Sequence, residues 1–269
     1  MEIGGGQKCL MILGMHRSYT SMVAAWLREC GLDIGEDLLA AGVGNEFGHF
    51  EDNDFLSVHE SILQANGLPP SGLHAEGEDS FAQTQYANIT VSPDLRSHIE
   101  QLVRTKPMQF GWKDPRTCLF LGTYRELLPA AHSFVLVRHY DQVVESLIRR
   151  DRNLRGQMSL RERWHLHRAG VFKSQNSYLG AWIHYNRLLL EHIELTGCPV
   201  ILDPIPASKT LIDRITEWGF DLEPKPIETV AKAPGRDRGS ATRLHYAPAL
   251  EREAARIFER LSASHHRIG

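Results

Sequence analysis

The sequence predicts an α/β fold of three layers, in which helices cover both faces of a central, mainly parallel sheet. Short apolar runs typical of buried strands, at about 8–13, 108–112, 133–137 and 199–202, alternate with helical patterns. The first run ends at Gly14, and an amphipathic stretch follows at once. This arrangement predicts a phosphate-sized, P-loop-like loop in front of a helix, where backbone N–H groups can hold an anion.

The loop after the first strand matches the Walker pattern G-x-x-x-x-G-K-[ST] only in part. Gly14 and Ser21 fit, but Tyr19 replaces the second glycine and Thr20 replaces the lysine. That lysine contacts the β- and γ-phosphates of a nucleoside triphosphate, so its absence argues against ATP. Arg17 could face a shorter anionic group. Because tyrosine disfavours a positive φ, we expect position 19 to be helical or the loop to be reshaped.

A second anion-binding pattern follows the third predicted strand. Arg138 ends the run Phe134–Val137, and Ser146 lies eight residues later in a predicted helix, Asp141–Arg150. An arginine at the carboxyl end of a strand and a serine two helical turns on can reach one phosphate at the edge of the sheet.

Together these segments resemble the sulfotransferases that use 3′-phosphoadenosine 5′-phosphosulfate (PAPS). Their loop (H/P)-(R/K)-S-G-T-(S/T) is similar to His16–Ser21, and their R-x7-S signature is similar to Arg138 and Ser146. The first similarity implies a site for the 5′-phosphosulfate, and the second implies a site for the 3′-phosphate. The residues implied for the 5′ site are Arg17, Ser18, Tyr19, Thr20 and Ser21.

Two further segments extend the resemblance to about residues 8–220, in the right order. Gly111–Arg116 is similar to the strand and loop that carry an active-site lysine, which implies that Lys113 neutralises charge on the leaving oxygen. The other interpretation of Lys113 is an ion pair with Asp114 or another nearby acid. Asn45–Glu51 is similar to the N-x-x-G-(Y/H)-F-E segment of bacterial members.

The resemblance does not identify a single residue as the general base. Many cytosolic members have a histidine two residues beyond the lysine, where this chain has Pro115. Carbohydrate-modifying members use a glutamate in the segment after the first helix, and here that segment contains Glu46, His49 and Glu51. Because the resemblance implies that Glu51 lies next to the donor, we rank Glu51 first as the base, His49 second and Glu46 third. Asp114 could also serve. A carboxylate acts as a base here only if its surroundings raise its pKa toward neutrality.

The resemblance implies sulfuryl transfer from PAPS, by in-line displacement and without a metal, to a hydroxyl or amine. The side chains leave a small molecule, a glycan and a lipid open as acceptor. A P-loop-type kinase for a small metabolite and a non-catalytic adenine-nucleotide-binding protein are the alternatives. The chain has 14 histidines, but their spacing matches no familiar zinc motif.

Composition and length agree with one enzyme domain over residues 1–269, with a core at about 8–220 and a C-terminal loop and helix at about 221–269. A formal charge of −3 and a pI of about 6.5 predict no nucleic-acid or anionic-membrane partner. Dispersed cysteines, the lack of a signal-peptide pattern and apolar runs well below the ~20 residues of a spanning helix predict a cytoplasmic protein without membrane insertion. The resemblance implies a soluble member of the bacterial type.

Three stretches, 36–50, 66–80 and 219–247, interrupt the alternation of strands and helices. We expect them to be loops at the carboxyl edge of the sheet, where open α/β sheets bind ligands. The stretch 149–168 is rich in arginine. It predicts either a solvated helix face with internal ion pairs or a mobile cap over the acceptor.

Overall fold

A computed structural model of the protein describes residues 6–41, 48–73, 89–159, 161, 174–230 and 244–265. Its strands are β1 (Lys8–Leu13), β2 (Gln109–Trp112), β3 (His132–Leu136) and β4 (Val200–Ile201). They form one sheet in the order β2-β1-β3-β4, and every pair is parallel. Leu10 is in register with Gly111 of β2 and with His132 of β3. The four strands confirm the predicted runs.

Helices connect the strands in the alternation that the sequence predicted. They are α1 (Thr20–Glu29), α2 (Asn53–Ala65), α3 (Pro93–Thr105), α4 (Leu121–Leu127), α5 (Tyr140–Gln157), α6 (Gln175–Thr196), α7 (Pro204–Glu217) and α8 (Pro248–His265), with 3₁₀ turns at Pro115–Leu119 and Ile227–Thr229. Side chains of Ser92, Ser174 and Asp203 cap the amino ends of α3, α6 and α7. None of the described helices is long and apolar enough to cross a membrane.

The sheet separates two apolar cores, because successive side chains of a strand point to opposite faces. Cys9, Met11 and Leu13 of β1 pack with α2, α3, α5, α6 and α8. Leu10 and Ile12 pack with α1 and α7 on the other face. The three-layer prediction is therefore confirmed, while the single-domain boundaries stay a prediction.

Several large side chains of the helices lie in these two cores. Trp26 of α1 and Trp182 of α6 are almost completely shielded, as are Leu189 and Ile215. The loop at 219–230 lies beside the α1 layer, where Lys225 O accepts a hydrogen bond of 2.7 Å from Trp26 Nε1. The predictions for 42–47, 74–80, 162–168 and 231–243 lie outside the described residues.

Candidate functional site

The predicted anion loop lies between Leu13, the last residue of β1, and Thr20, the first residue of α1. Gly14 opens the loop where the backbone passes β3 closely. A Cβ atom there would lie 2.7 Å from Leu136 O and 2.8 Å from the Thr20 side chain. Only glycine fits this approach, which places the loop at the carboxyl edge of the sheet.

Two loop residues adopt the left-handed backbone conformation, Arg17 with φ 67° and Tyr19 with φ 65°. Tyr19 is therefore not helical, contrary to one of the two expectations, and takes the positive φ that its Cβ disfavours at a cost of about 1–3 kcal/mol. A favourable contact offsets part of this cost. The Arg138 guanidinium carbon lies 4.8 Å from the centre of the Tyr19 ring, in cation–π geometry.

The two predicted phosphate-binding segments meet in space. Arg17 Nε donates a 2.9 Å hydrogen bond to Ser146 Oγ, and Arg138 Nη1 donates a 3.0 Å bond to Arg17 O. The indole of Trp182 donates a 3.0 Å bond to Arg138 O and fixes the end of β3. Arg17, Arg138 and Ser146 thus form one site, although up to 129 residues separate them along the chain.

This meeting point carries concentrated positive charge. A cavity of about 170 Å³ is lined by Arg17, Tyr19, Thr20, Ser21, Met22 and Arg138. Burial, together with repulsion from Arg150, Arg138 and Arg149, lowers the pKa of Arg17 to about 10. Among the described residues, neither Arg17 nor Arg138 has a carboxylate within ion-pair distance. The cavity is therefore suited to an anion.

The amino end of α1 adds backbone donors to the same cavity. Its first turn has no acidic residue, and the Tyr19 side chain does not cap it. Ser18 and Thr20 are buried in the turn, whereas Ser21 is partly exposed and lines the cavity. The first N–H groups of a helix lack intrahelical acceptors and carry partial positive charge, which favours a bound anion.

Lys113 and Glu51 form a buried ion pair beyond the end of β2. Lys113 Nζ lies 2.6 Å from Glu51 Oε1, and the two residues are only 2% and 5% exposed. Arg116 Nη1 lies 3.4 Å from Glu51 Oε2. Burial lowers the pKa of Lys113, and the attraction of Glu51 offsets only part of that effect. The predicted catalytic lysine and the first-ranked base are therefore partners of each other.

Asp114 belongs to the same buried network through other partners. Its Oδ1 accepts 2.8 Å and 2.9 Å hydrogen bonds from Arg116 Nη1 and the Arg116 backbone N–H. Its Oδ2 accepts a 2.8 Å bond from His59 Nδ1, and His59 Nε2 lies 2.7 Å from the Tyr124 hydroxyl. Burial would raise the pKa of Asp114, but Arg116 and His59 outweigh it and hold this pKa well below its usual range. Both carboxylate oxygens are thus committed to structural contacts.

His49, the second-ranked base, is partly buried on the segment that leads to Glu51. Burial lowers the pKa of His49, and the charge of Glu51 opposes that shift. Glu46, the third candidate, lies outside the described residues. Within the described ranges no group of His, Cys, Asp or Glu side chains is arranged to hold a metal ion, and a metal-free reaction stays a prediction.

Three solved structures with the same fold are all described as sulfotransferases. A sulfotransferase from Alicyclobacillus acidocaldarius is 12% identical, with a TM-score of 0.51 and coverage of 97% of both chains. The sulfotransferase domain of the Synechococcus PCC 7002 olefin synthase is 17% identical, with a TM-score of 0.50 and coverage of 96% of both chains. The sulfotransferase STF9 from Mycobacterium avium is 13% identical, with a TM-score of 0.53, over 97% of this chain and 77% of that one. The chain has the sulfotransferase fold. No protein-family model and no curated protein matches its sequence.

Within this sulfotransferase fold, sequence reasoning missed several polar residues. Arg116, His59 and Tyr124 are part of the buried network, although none was predicted to belong to the site. The sequence did contain an indication that His59 is buried. It lies at helical spacing between Phe55 and Ile62, on the apolar face of α2. A titratable residue on such a face requires a polar partner inside the protein.

Proposed function

We propose that the protein transfers the sulfuryl group of PAPS to a hydroxyl or amine of an acceptor. The observation that carries this proposal is the contact between Arg17 and Ser146, which joins the two predicted phosphate-binding segments in one cationic site. The fold of three solved sulfotransferases supports the same class of reaction. Positioning and charge neutralisation are the main requirements of such a transfer.

The loop and the amino end of α1 are proposed to bind the 5′-phosphosulfate. Backbone N–H groups from Tyr19 to Ser21 would donate to its oxygens, while the Ser18 N–H donates to Met15 O at 3.2 Å. Arg17 would face the 5′-phosphate and the bridging oxygen. An anion at this position would relieve the repulsion among the arginines that now lowers the pKa of Arg17. The left-handed residues Arg17 and Tyr19 give the loop the turn that directs its N–H groups to one point.

Arg138 and Ser146 are proposed to bind the 3′-phosphate. Ser146 Oγ accepts the hydrogen bond from Arg17, so its own hydroxyl proton is available for a phosphate oxygen. Arg138 keeps one guanidinium nitrogen on Arg17 O and another on Gln142 Oε1, which fixes the plane of the group. Such a preorganised guanidinium suits a bidentate contact with phosphate.

The reaction forms a bond from the acceptor oxygen or nitrogen to sulfur. The bond from sulfur to the bridging oxygen breaks, and its electron pair remains on 3′-phosphoadenosine 5′-phosphate. Lys113 is proposed to neutralise that oxygen, which requires its ammonium group to move from Glu51 toward the donor. Glu51 holds Lys113 in this position, and Arg116 contacts the other oxygen of Glu51. Separation of the pair would also release one Glu51 oxygen, the condition for its predicted role as base. His49 is the second candidate for that role.

Ligand-dependent stability tests the donor class. We expect 3′-phosphoadenosine 5′-phosphate to raise the free energy of unfolding by about 2.7 kcal/mol at 100 times its Kd, with smaller effects of ATP or AMP at equal concentration. Arg138→Ala should remove most of this stabilisation. Arg214→Ala removes one positive charge at an exposed arginine near the end of α7 and serves as the control.

Stronger stabilisation by magnesium-ATP would support the kinase alternative instead. Stabilisation by 3′-phosphoadenosine 5′-phosphate without turnover of PAPS, across a set of acceptors, would support the non-catalytic alternative.

A further inference from the structure

Two buried polar atoms near the donor loop have no hydrogen-bond partner among the described residues, His16 Nε2 and Arg150 Nε. His16 directly precedes Arg17, and its ring packs edge-on against Tyr185, with centroids 5.9 Å apart. Arg150 lies on α5, where its terminal nitrogen bonds Asp151 at 3.1 Å. A buried polar atom without a partner costs free energy, which a ligand that supplies a hydrogen-bond partner can recover.

His16 lies between the donor loop and the buried network. It directly precedes Arg17, and the charges of Arg116, Lys113, Asp114 and Arg150 all act on its ring. Three of these residues belong to the segment after β2, and Arg150 belongs to α5. The imidazole is therefore within electrostatic range of both the β2 segment and the arginine-rich helix.

Two of the other candidate bases, Glu51 and Asp114, are engaged in buried ion pairs. Glu51 contacts Lys113 through one oxygen and Arg116 through the other, and Asp114 contacts Arg116 and His59. A carboxylate paired with two cations is a weak proton acceptor. His16 Nε2, by contrast, is an imidazole nitrogen that has no hydrogen-bond partner in the described part of the chain.

We propose that His16 is the catalytic residue that accepts the proton of the acceptor group. The inference rests on the proposed sulfuryl transfer and names a residue that neither the sequence motifs nor the predicted bases assigned to catalysis. As the acceptor oxygen attacks sulfur, its proton moves to Nε2, which requires the tautomer with hydrogen on Nδ1. The imidazolium formed in this step returns the proton to water after the product leaves, so no other reactant is needed.

The charges around His16 make its basicity depend on the donor. Burial and the cations Arg116, Arg150 and Lys113 lower the pKa of His16 well below 6.5, so the ring is neutral near pH 7 and cannot be blocked by a proton. A phosphosulfate in the adjacent loop brings negative charge that opposes these cations. Donor binding should therefore raise the pKa of His16 and make it a better base only when sulfur is in place.

NMR titration of ¹⁵N-labelled histidine tests this coupling without any acceptor. His16→Gln identifies the resonance. We expect saturating 3′-phosphoadenosine 5′-phosphate to raise the His16 pKa by at least about one pH unit. His132, at the amino end of β3 on the opposite edge of the sheet, should not move. Calorimetry on the same sample distinguishes failure of the donor proposal from failure of the His16 proposal. Absence of binding refutes the donor proposal, whereas binding with an unchanged His16 refutes only the role of His16.

Turnover with two probe phenols provides the second test. Phenol keeps its proton at neutral pH and needs a base, whereas 4-nitrophenol ionises near neutral pH and does not. We expect His16→Gln to lower transfer to phenol by about 10²–10⁴-fold, with a much smaller effect on 4-nitrophenol and on the affinity for 3′-phosphoadenosine 5′-phosphate. Added imidazole should restore part of the activity of His16→Ala. If neither phenol is a substrate, transfer to water provides the same comparison between the wild type and His16→Gln.

An equal loss with both phenols, without imidazole rescue, would assign a structural role to His16 and overturn the inference. Unchanged turnover of His16→Gln would overturn it as well. His132→Gln is the matched control and should keep full activity. If His16→Gln does not fold, the NMR titration of the wild-type protein still decides the outcome, with the His16 resonance assigned by triple-resonance spectra.

Discussion

Replacement of Glu51 by Gln removes the charge that neutralises two buried cations. Lys113 Nζ lies 2.6 Å from Glu51 Oε1 and Arg116 Nη1 lies 3.4 Å from Glu51 Oε2. Removal of one partner from a buried ion pair costs about 3–5 kcal/mol, because the remaining charge stays buried without compensation. Glutamine keeps the shape and one hydrogen bond of the side chain, so we expect about 3 kcal/mol, at the lower end of that range.

Urea unfolding near pH 7 measures this loss as the change in the free energy of unfolding. Glu126→Gln is a matched control, because Glu126 pairs with Arg96 at 2.7 Å while their side chains are 64% and 35% exposed. A surface pair of this kind contributes about 0–1 kcal/mol. If Glu51→Gln loses no more stability than Glu126→Gln, the buried pair does not stabilise the site as argued here.

The pH dependence of the same variant provides an independent check. Lys113 has a folded pKa below its ordinary value of 10.5, and the loss of Glu51 should lower it further. Between the folded and unfolded pKa values the unfolded state binds more protons, so stability rises with pH in that window. The deficit of Glu51→Gln should therefore shrink as the pH rises from neutral toward the ordinary lysine pKa of 10.5. A deficit that stays constant would show that Lys113 is not the group that causes it.

The remaining predictions concern the donor site and the acid limit of stability. Arg138→Ala should weaken binding of 3′-phosphoadenosine 5′-phosphate by about 1.5–3 kcal/mol, measured by calorimetry, because a charge-assisted contact to phosphate is lost. Ser146→Ala should act in the same direction by about 0.5–1.5 kcal/mol, and unchanged affinity in both variants would contradict the 3′-phosphate assignment. Lys113→Ala should lower turnover of PAPS and leave that affinity unchanged, since its charge is needed as the leaving oxygen develops; a loss in affinity alone would contradict this. Burial lowers the pKa of His192 to about 4, so the unfolded state takes up a proton between about pH 6.5 and 4 that the folded state excludes. As the pH falls through this range, the free energy of unfolding should decrease by about 1.4 kcal/mol per pH unit because of His192. His192→Gln should remove this contribution to the pH dependence, as measured by urea unfolding.

The PAPS-dependent activity, the choice of acceptor and the cytoplasmic location stay predictions, as does the ranking of Glu51, His49 and Glu46 as base. Glu51→Gln and His16→Gln separate the candidates by the acidic limb of the pH–rate profile. The variant that removes the true base loses that limb, whereas the other variant keeps it at a lower rate.

The sequence by itself determined the strands, their order along the chain and the position of both phosphate-binding segments. These features are local, since an apolar run marks a buried strand and a glycine at a strand end marks the loop, whatever the rest of the chain does. Both segments were expected at the carboxyl edge of the sheet, because parallel strands place their carboxyl ends there, but the contact of Arg17 with Ser146 is a finding of the structure.

Only the tertiary structure decided which polar groups compensate one another. Glu51 and Lys113 are 62 residues apart, and His59 and Asp114 are 55 residues apart, so no local pattern indicates that they form buried pairs. The ring of the left-handed residue Tyr19 contacts the Arg138 side chain from a distant strand end. That His16 Nε2 has no partner among the described residues is likewise visible only in the folded chain, because it depends on everything that packs around the ring.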